Sequence, residues 1–281
     1  MIQQKVVIIS KEQLKNLNKA QQCINNSRNS NRLKAFGSCR TWCLTESLVL
    51  RNFQILNFRK VQIKDGLTML DAIGPYEVLR NISNAEVLFV AEKKGEITAD
   101  SKFVHLNAKF GIDEINEADI LVIPGSAITF LREINNVKVM EWIKKINQTT
   151  LWTTSVCSGS IILASTGLLN GLEATSHWKP MELLKKFGAV PKAERFVEQD
   201  KYITAAGVST GIDMALYLCN KIVGEAKTKA IQLFIEYDPK PIYKSGNYST
   251  AEKNVIEEAE FILLEEAKKE PELFEEIKGE I

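Results

Sequence analysis

Cys157 stands where a chain could present a nucleophile to a small substrate. It ends the apolar, β-branched run at 151–156 and is followed at once by Ser158-Gly159-Ser160 and an apolar helical run. A strand that turns tightly into a helix exposes the side chain at the turn, and small residues after it let a substrate approach. Free N–H groups at the start of the helix would face the sulfur, which predicts a cysteine pKa below the usual value of about 8.5.

The same position also suits a small buried side chain, because free cysteine is among the most buried residue types. The local pattern therefore leaves both interpretations of Cys157 open. Cys219 is a simpler case, since it lies in mid-helix among Leu216, Leu218 and Ile222. That position indicates a core residue.

A thiol nucleophile needs a group that accepts and returns a proton, and Asp71 and His177 are the candidates. Asp71 lies between Leu70 and an Ala-Ile pair, where desolvation would raise the pKa of its carboxyl into the range useful for proton transfer. Capping the next helix is the alternative role for Asp71. His177, on a short strand beside a tryptophan, is either a partner of the thiol or a structural hydrogen-bonding residue. The only other histidine, His105, is expected at the surface or in a sheet without a chemical role.

Two turns could supply backbone donors to negative charge that develops on a substrate. One is the Ser158 amide, directly after the cysteine, and the other lies in the turn Pro124-Gly125-Ser126 that ends the preceding strand.

The elements that must position these residues alternate between strands and helices from about residue 66 onward. Strands are predicted at 85–92, 118–125, 149–156 and 201–207, helices at 128–147, 159–169, 179–188, 211–224 and 225–238, and a pair of extended arms at 97–112. Strands separated by helices predict a mostly parallel sheet covered on both faces, with ligands bound at the carboxyl ends of the strands. The first strand is ambiguous: RKVQI is short, and either NFQILNF or the initial KVVIIS could supply it.

Composition divides the chain into three parts. Residues 1–64 carry 12 Lys/Arg against 2 Asp/Glu and many Asn; we expect 1–60 to be a basic extension that is poorly ordered or donates a strand. Residues 61–250 form the predicted α/β domain. Residues 251–281 form an acidic helical tail whose first half docks and whose last dozen residues fray.

Several classes of function find no support in the sequence. Five cysteines without a repeated spacing do not indicate a disulfide framework, and Cys39 and Cys43 lack the second pair of ligands that structural zinc needs. No nucleotide-binding glycine motif, no apolar run of ~18 residues and no signal peptide occur. A net charge of +1 without a folded basic face gives no reason to expect a nucleic-acid partner. We therefore expect a cytoplasmic protein that binds neither nucleic acid nor membrane.

Five segments occur together in a fixed order: DGLTMLDAIGPYEVL, ILVIPG, TSVCSGSIILASTGLLNGLEATSHW, YITAAGVSTGIDMALYL and IQLFIEYDPKPIYKSG. In order and spacing, over 61–246, they resemble the ThiJ/PfpI superfamily, and within it the isonitrile hydratase branch. The resemblance implies a flavodoxin-like α/β/α sandwich, a homodimer, a small-molecule substrate, and no metal or organic cofactor.

Carried over by position, the resemblance implies that Cys157 is the nucleophile and Asp71 the general acid and base. Anion-hole or substrate-binding positions would be Gly125, Ser126, Ser158, Gly159, His177 and Val208. The implied reaction is hydration of an isonitrile, R–N≡C, to an N-substituted formamide through a thioimidate on the cysteine.

The sequence differs from the family pattern at two of these positions. Ser126 replaces the second glycine of a Pro-Gly-Gly turn, and a positive φ at that residue would distort the anion hole. Ser158 stands where the protease-like branch has a histidine, which disfavours a peptidase.

Other functions could use the same cysteine. One is a non-catalytic ligand-binding or redox-sensing protein, and another is an amidase or glyoxalase-type activity on a small molecule. A DNA-binding regulator is disfavoured, because it needs two further helix-turn-helix units and the 35 residues after Gly246 are acidic.

Overall fold

A computed structural model describes residues 58–83 and 86–277 of the 281-residue chain, all within one unit, Asn57–Ile281. Seven strands form the central sheet in the order β10-β11-β7-β6-β1-β2-β5. They are β1 (Phe58–Gln62), β2 (Glu86–Ala91), β5 (Phe110–Gly111), β6 (Ile120–Ile123), β7 (Trp152–Val156), β10 (Phe196–Gln199) and β11 (Tyr202–Ala205). The expectations for the basic extension, for KVVIIS, and for Cys39 and Cys43 lie outside the described residues.

The central sheet is parallel except at one edge. Every neighbouring pair runs parallel apart from β10 and β11, which are antiparallel. The predicted pair of arms is a hairpin of β3 (Gly95–Thr98) and β4 (His105–Ala108), and β8 (Glu173–Ala174) pairs with β9 (Val190–Pro191). The predicted mostly parallel sheet is confirmed.

Helices cover both faces of the sheet. They are α1 (Met69–Leu79), α2 (Phe130–Ile134), α3 (Val137–Asn147), α4 (Gly159–Ser165), α5 (Leu183–Lys186), α6 (Thr210–Val223), α7 (Glu225–Phe234), α8 (Lys253–Lys268) and α9 (Pro271–Ile277). Helices α3 and α4 bury their apolar residues in one core cluster with β6, whereas α1 and α6 pack against each other over the opposite face. The three-layer sandwich is therefore confirmed. Among the described residues, no helix has both the length and the apolar character needed to cross a membrane.

The single helix predicted at 128–147 is wrong, because the segment forms the two helices α2 and α3. Asn135 ends α2, and the side chain of Asn136 accepts a hydrogen bond from the Val139 amide to cap α3. Asparagine favours helix caps over helix interiors because its side chain competes for backbone hydrogen bonds. Apolar spacing continues through the break, so the periodicity did not reveal it.

The first strand, β1, lies at the centre of the sheet between β6 and β2. It takes RKVQ together with the final Phe58 of NFQILNF. Arg59 is completely buried, and among residues 58–83 and 86–277 its three guanidinium nitrogens have no hydrogen-bond partner. Burial lowers its pKa to about 10. Central parallel strands are normally apolar. Burying the charge of Arg59 in this strand therefore lowers the stability of the fold, which the sequence pattern did not suggest.

The C-terminal segment is helical and packs against the rest of the unit. Residues 271–277 of the segment expected to fray form α9, in which Leu273 is 5% exposed. Leu273 and Ala267 of α8 share an apolar cluster with Ile128. The burial of these side chains attaches α8 and α9 to the rest of the unit.

Candidate active site

Cys157 occupies a strained turn between β7 and α4. Its φ is 59°, a left-handed conformation that side chains other than glycine rarely adopt. Hydrogen bonds on both sides hold it: the Cys157 amide donates to the Ala205 carbonyl at 3.0 Å, and Ser176 Oγ donates to the Cys157 carbonyl at 3.0 Å. Backbone strain that the surroundings maintain in this way is typical of functional positions.

Two glycines let the turn after β6 approach the cysteine turn closely. A Cβ on Gly125 would lie 2.6 Å from the Ser158 amide nitrogen, and one on Gly159 would lie 2.1 Å from the Ile123 carbonyl oxygen. Neither position accepts a side chain without moving backbone. Gly125 and Gly159 therefore allow the two turns to pack against each other beneath the site.

Asp71 lies in the first turn of α1 and is fully buried. Its Oδ2 accepts a hydrogen bond from the Gly125 amide at 3.0 Å, so the carboxyl bridges α1 and the turn after β6 instead of capping α1. Within the described residues Oδ1 has no hydrogen-bond partner, and the carboxyl lies close enough to the Cys157 thiol for each group to shift the pKa of the other. The structure thus brings together Cys157 and Asp71, the predicted nucleophile and the predicted general acid and base.

Burial determines the protonation states of Asp71 and Cys157. Desolvation raises the pKa of Asp71 to about 7, against the opposing effects of the Gly125 amide, Lys64 and the thiol. Desolvation also raises the pKa of Cys157 well above its usual value, and the charge of Asp71 adds to that rise. The expectation of a lowered cysteine pKa is therefore wrong: the Ser158 amide acts in the expected direction, but burial outweighs it.

Lys64 is a third ionisable group near the pair, and it was not among the residues predicted from the sequence. Its ammonium is buried and donates to Thr129 Oγ1 at 2.9 Å. Burial lowers its pKa to about 8, while Glu133 and Asp71 act in the opposite direction. The available signal was a lysine two residues after the end of β1 and seven residues before Asp71.

Ser126 and Ser158 are paired. The Ser126 amide donates to Ser158 Oγ at 2.9 Å, and Ser158 Oγ donates to the Ser126 carbonyl at 2.8 Å. Ser126 does not have a positive φ, so replacement of glycine leaves the turn unstrained. Its amide is nevertheless occupied, whereas the Ser158 amide faces the cysteine sulfur.

A cavity of about 770 Å³ opens above the sulfur. Cys157, Ser126, Ser158, His177 and Val208 all line it, while Asp71, Gly125 and Gly159 lie behind these residues.

His177 lines this cavity as an uncharged ring. Burial lowers its pKa to about 4, so the imidazole is neutral at physiological pH. Its Nδ1 accepts a long hydrogen bond of 3.4 Å from the Lys179 amide, which leaves Nε2–H free to donate to a ligand.

The rim of the cavity contains further polar groups. Thr68 Oγ1 donates to Asp100 Oδ2 at 2.6 Å, and both residues line the cavity. Over 58–83 and 86–277, no three His, Cys, Asp or Glu side chains are grouped as metal ligands would be.

Comparison with known proteins relates the chain to one family. The model of the DJ-1/PfpI family matches residues 60–221. Isonitrile hydratase of Pseudomonas putida is 34% identical over 191 residues, which cover 68% of this chain and 82% of that protein.

Solved structures show the same fold. A ThiJ/PfpI family protein from Pseudomonas syringae superposes with a TM-score of 0.71 at 28% identity, over 77% of this chain and 90% of that one. DJ-1beta of Drosophila melanogaster gives a TM-score of 0.58 at 17% identity, over 66% of this chain and all of that one, and agrees in fold alone.

Proposed function

The chain belongs to the DJ-1/PfpI family, and on that premise we propose that it is a cysteine-dependent hydratase that converts an isonitrile to an N-substituted formamide. One observation carries the proposal: a thiol on a strained turn lies beside a buried carboxyl whose pKa is about 7, beneath a largely apolar cavity. A carboxyl with that pKa both accepts and donates a proton at neutral pH, which the reaction requires.

In the first step, the Asp71 carboxylate takes the thiol proton while Cys157 Sγ bonds to the terminal carbon of R–N≡C. Asp71 then delivers that proton to the same carbon, which gives the thioimidate R–N=CH–S–Cys157. The raised pKa of Cys157 fits this order, because the thiol keeps its proton until a substrate is present to react.

In the second step, Asp71 takes a proton from water as the hydroxyl adds to the thioimidate carbon, and Asp71 passes that same proton to the nitrogen, which restores its carboxylate. The C–S bond of R–NH–CH(OH)–S–Cys157 then breaks, and the hydroxyl proton returns to sulfur through Asp71. The products are R–NH–CHO and the free thiol, so one water is consumed for each isonitrile.

Backbone and ring N–H groups support these steps. The Ser158 amide, which faces the sulfur, and the neutral His177 ring can donate to the substrate without a net charge. Ser126 contributes its amide only when the Ser158 hydroxyl releases it. Gly125 and Gly159 hold the turns in place, and Val208 bounds the cavity.

The rival redox-sensing function finds less support. A sensor cysteine is accessible and has a low pKa, whereas Cys157 is 4% exposed and its pKa is raised. A carboxyl whose pKa is about 7 beside a thiol favours catalysis over ligand binding alone, because perturbed pKa values cluster at catalytic sites.

The test is formamide production by the full chain over a panel of alkyl, cyclohexyl and aryl isonitriles. We expect turnover by the wild type, none by Cys157→Ala, and a loss of at least about a hundredfold in Asp71→Asn. Cys219→Ala is the matched control, because that cysteine is buried in α6 away from the cavity, and it should retain turnover. Absence of hydration by the wild type across the panel would refute the assignment.

We further propose that the protein works as a homodimer. Leu233, Phe234, Ile242 and Tyr243, on α7 and the loop after it, are 66–89% exposed, and such a concentration of apolar side chains suits an interface. Size-exclusion chromatography with light scattering should give twice the chain mass, and a monomer at micromolar concentration would contradict this.

Because the reaction needs a free thiol, we propose the reducing cytoplasm as its compartment. Fractionation of the source cells should recover the protein there, and recovery from an oxidising compartment would argue against it.

A further inference from the structure

Helix α8 bounds one side of the cavity above Cys157. The cavity-lining residues of α8 are Glu260, Leu263, Leu264, Glu266 and Ala267. The helix therefore faces the same space as the thiol, although it lies about a hundred positions later in the sequence. We call α8 and α9 together the C-terminal wall.

The inner and outer faces of α8 differ in exposure. Leu263, Leu264 and Ala267 are spaced as neighbours on one helix face and turn toward the cavity. Phe261 and Ile262 are 55% and 56% exposed. The helix thus presents apolar side chains in both directions, and only the inner set can touch a substrate.

Charged side chains fasten the C-terminal wall to the elements around the cavity. Glu260 pairs with Lys179 at 2.7 Å, close to His177 in the sequence. Glu270, which follows α8, pairs with Lys102 of the β3–β4 hairpin and with Arg132 of α2, the latter at 2.8 Å. Burial alone would raise the pKa of Glu270, but these two cations outweigh it and lower that pKa.

Apolar packing reinforces the same attachment. Ala267 and Leu273 of the wall are 6% and 5% exposed and lie against Ile128, which is 2% exposed. Ile128 belongs to the segment directly after Ser126, so the wall rests on the turn that shapes the site. Movement of α8 would therefore disturb packing next to Ser126.

Other elements add apolar side chains to the lining of the same cavity. They come from the segment after Ser126 and from α5 and its end: Phe130, Leu131, Ile134, Leu183 and Phe187. A substrate that reaches the sulfur must place its remaining atoms in this apolar space, which we call the slot. Leu263 and Leu264 of α8 line it too, so the size of these two side chains limits its volume.

We propose that the C-terminal wall is the selectivity filter of the site: Leu263 and Leu264 set the size of the apolar group that lies beside the reacting atom, and Glu260 and Glu270 hold them in place. The identity of the reacting atom, an isonitrile carbon, rests on the proposed function. Control of access to the Cys157 thiol does not, and it is tested separately.

The experiment compares alkylation of Cys157 in the reduced full chain by a small reagent, iodoacetamide, and a bulky one, N-phenylmaleimide. Peptide mapping by mass spectrometry follows the Cys157 peptide alone. Leu264→Trp should lower the N-phenylmaleimide rate relative to the iodoacetamide rate by about tenfold or more, because one misplaced group in an apolar pocket has effects of that order. Phe261→Trp, on the outer face of the same helix, is the matched control and should leave the ratio within about twofold.

Two further variants should make the cavity accept larger groups, and they keep the proposal testable if Leu264→Trp does not fold. Leu264→Ala widens the slot and Glu270→Gln weakens its attachment, so both should raise the relative rate of N-phenylmaleimide. Circular dichroism confirms that each variant is folded. Equal ratios in wild type, Leu264→Trp and Leu264→Ala would overturn the proposal.

Isonitriles of different size distinguish this proposal from the proposed function. If Leu264→Trp slows cyclohexyl isonitrile much more than methyl isonitrile, both are supported. If both substrates slow equally, the filter fails and the hydratase stands. If no isonitrile reacts but the alkylation ratio still responds to Leu264, the hydratase fails and the filter stands.

Discussion

Replacing Asp71 by asparagine should stabilise the protein at alkaline pH while it removes activity. Folding raises the pKa of Asp71 from 3.8 to about 7, so the folded state binds a proton more tightly than the unfolded state between these values. Stability contributed by this group is therefore greatest at low pH and is lost as the pH rises through that window. About three pKa units correspond to about 4 kcal/mol above pH 7.

Asparagine is neutral at every pH, has almost the same shape, and keeps an oxygen for the Gly125 amide. Asp71→Asn should therefore exceed the wild type in free energy of unfolding by up to about 4 kcal/mol at pH 8.5 and by only about 1.5 kcal/mol at pH 5. Lys64 reduces the gain, because its buried ammonium loses a nearby negative charge.

The assay is equilibrium unfolding in urea, under reducing conditions, at pH 5 and pH 8.5. Asp113→Asn is the control, because that carboxylate is 75% exposed and pairs with Lys138 on the surface; it should change stability by less than about 0.5 kcal/mol at either pH. The reasoning is refuted if Asp71→Asn follows the wild type in parallel at both pH values, or if it is less stable at pH 8.5.

Three further outcomes are expected. Arg59→Leu should raise the free energy of unfolding at pH 7 by about 3 kcal/mol. Burial lowers the pKa of Arg59 from 12.5 to about 10, and the cost of burying its charge is present in full below that pKa. A variant that is less stable in urea would contradict this. Lys64→Met removes a cation that lowers the pKa of Asp71, so the acidic limb of the pH–kcat/KM profile should move to higher pH, and an unmoved limb would exclude this coupling. Ser158→Ala leaves the buried amide and carbonyl of Ser126 without their hydrogen-bond partner. It should lower the free energy of unfolding by about 1–3 kcal/mol, measured by thermal unfolding. An unchanged melting temperature would contradict this and show that water replaces the hydroxyl.

The strands and helices that periodicity predicted best are those with a continuous apolar pattern. The four buried residues of β6 read as a strand because both faces of a parallel sheet are covered. β1 has no such pattern, since its second and third residues are Arg59 and Lys60. Its place at the centre of the sheet comes from pairing with β2 and β6, which the sequence of β1 alone does not encode.

Candidate residues were easier to predict than their protonation states. Spacing pointed to Cys157, and the apolar surroundings of Asp71 indicated a raised carboxyl pKa, which agrees with the direction in the structure. Asp71 and the thiol lie side by side although they are 86 positions apart in the sequence. No local pattern could show that the two groups meet, or that Lys64 lies near them.

The wrong direction for the pKa of Cys157 shows which effect dominates the site. A helix start contributes at most about 2 kcal/mol and falls off within one turn, and α4 has only 7 residues. Full burial can move a pKa by about 3–5 units, which is two to three times as large in energy. Burial of Cys157 depends on what surrounds the cavity, and part of that boundary is α8, far along the chain. Substrate selection and the protonation state of the thiol therefore share one structural cause, so a change in the C-terminal wall that admits water to the cavity must lower the pKa of Cys157 as it widens the choice of substrate.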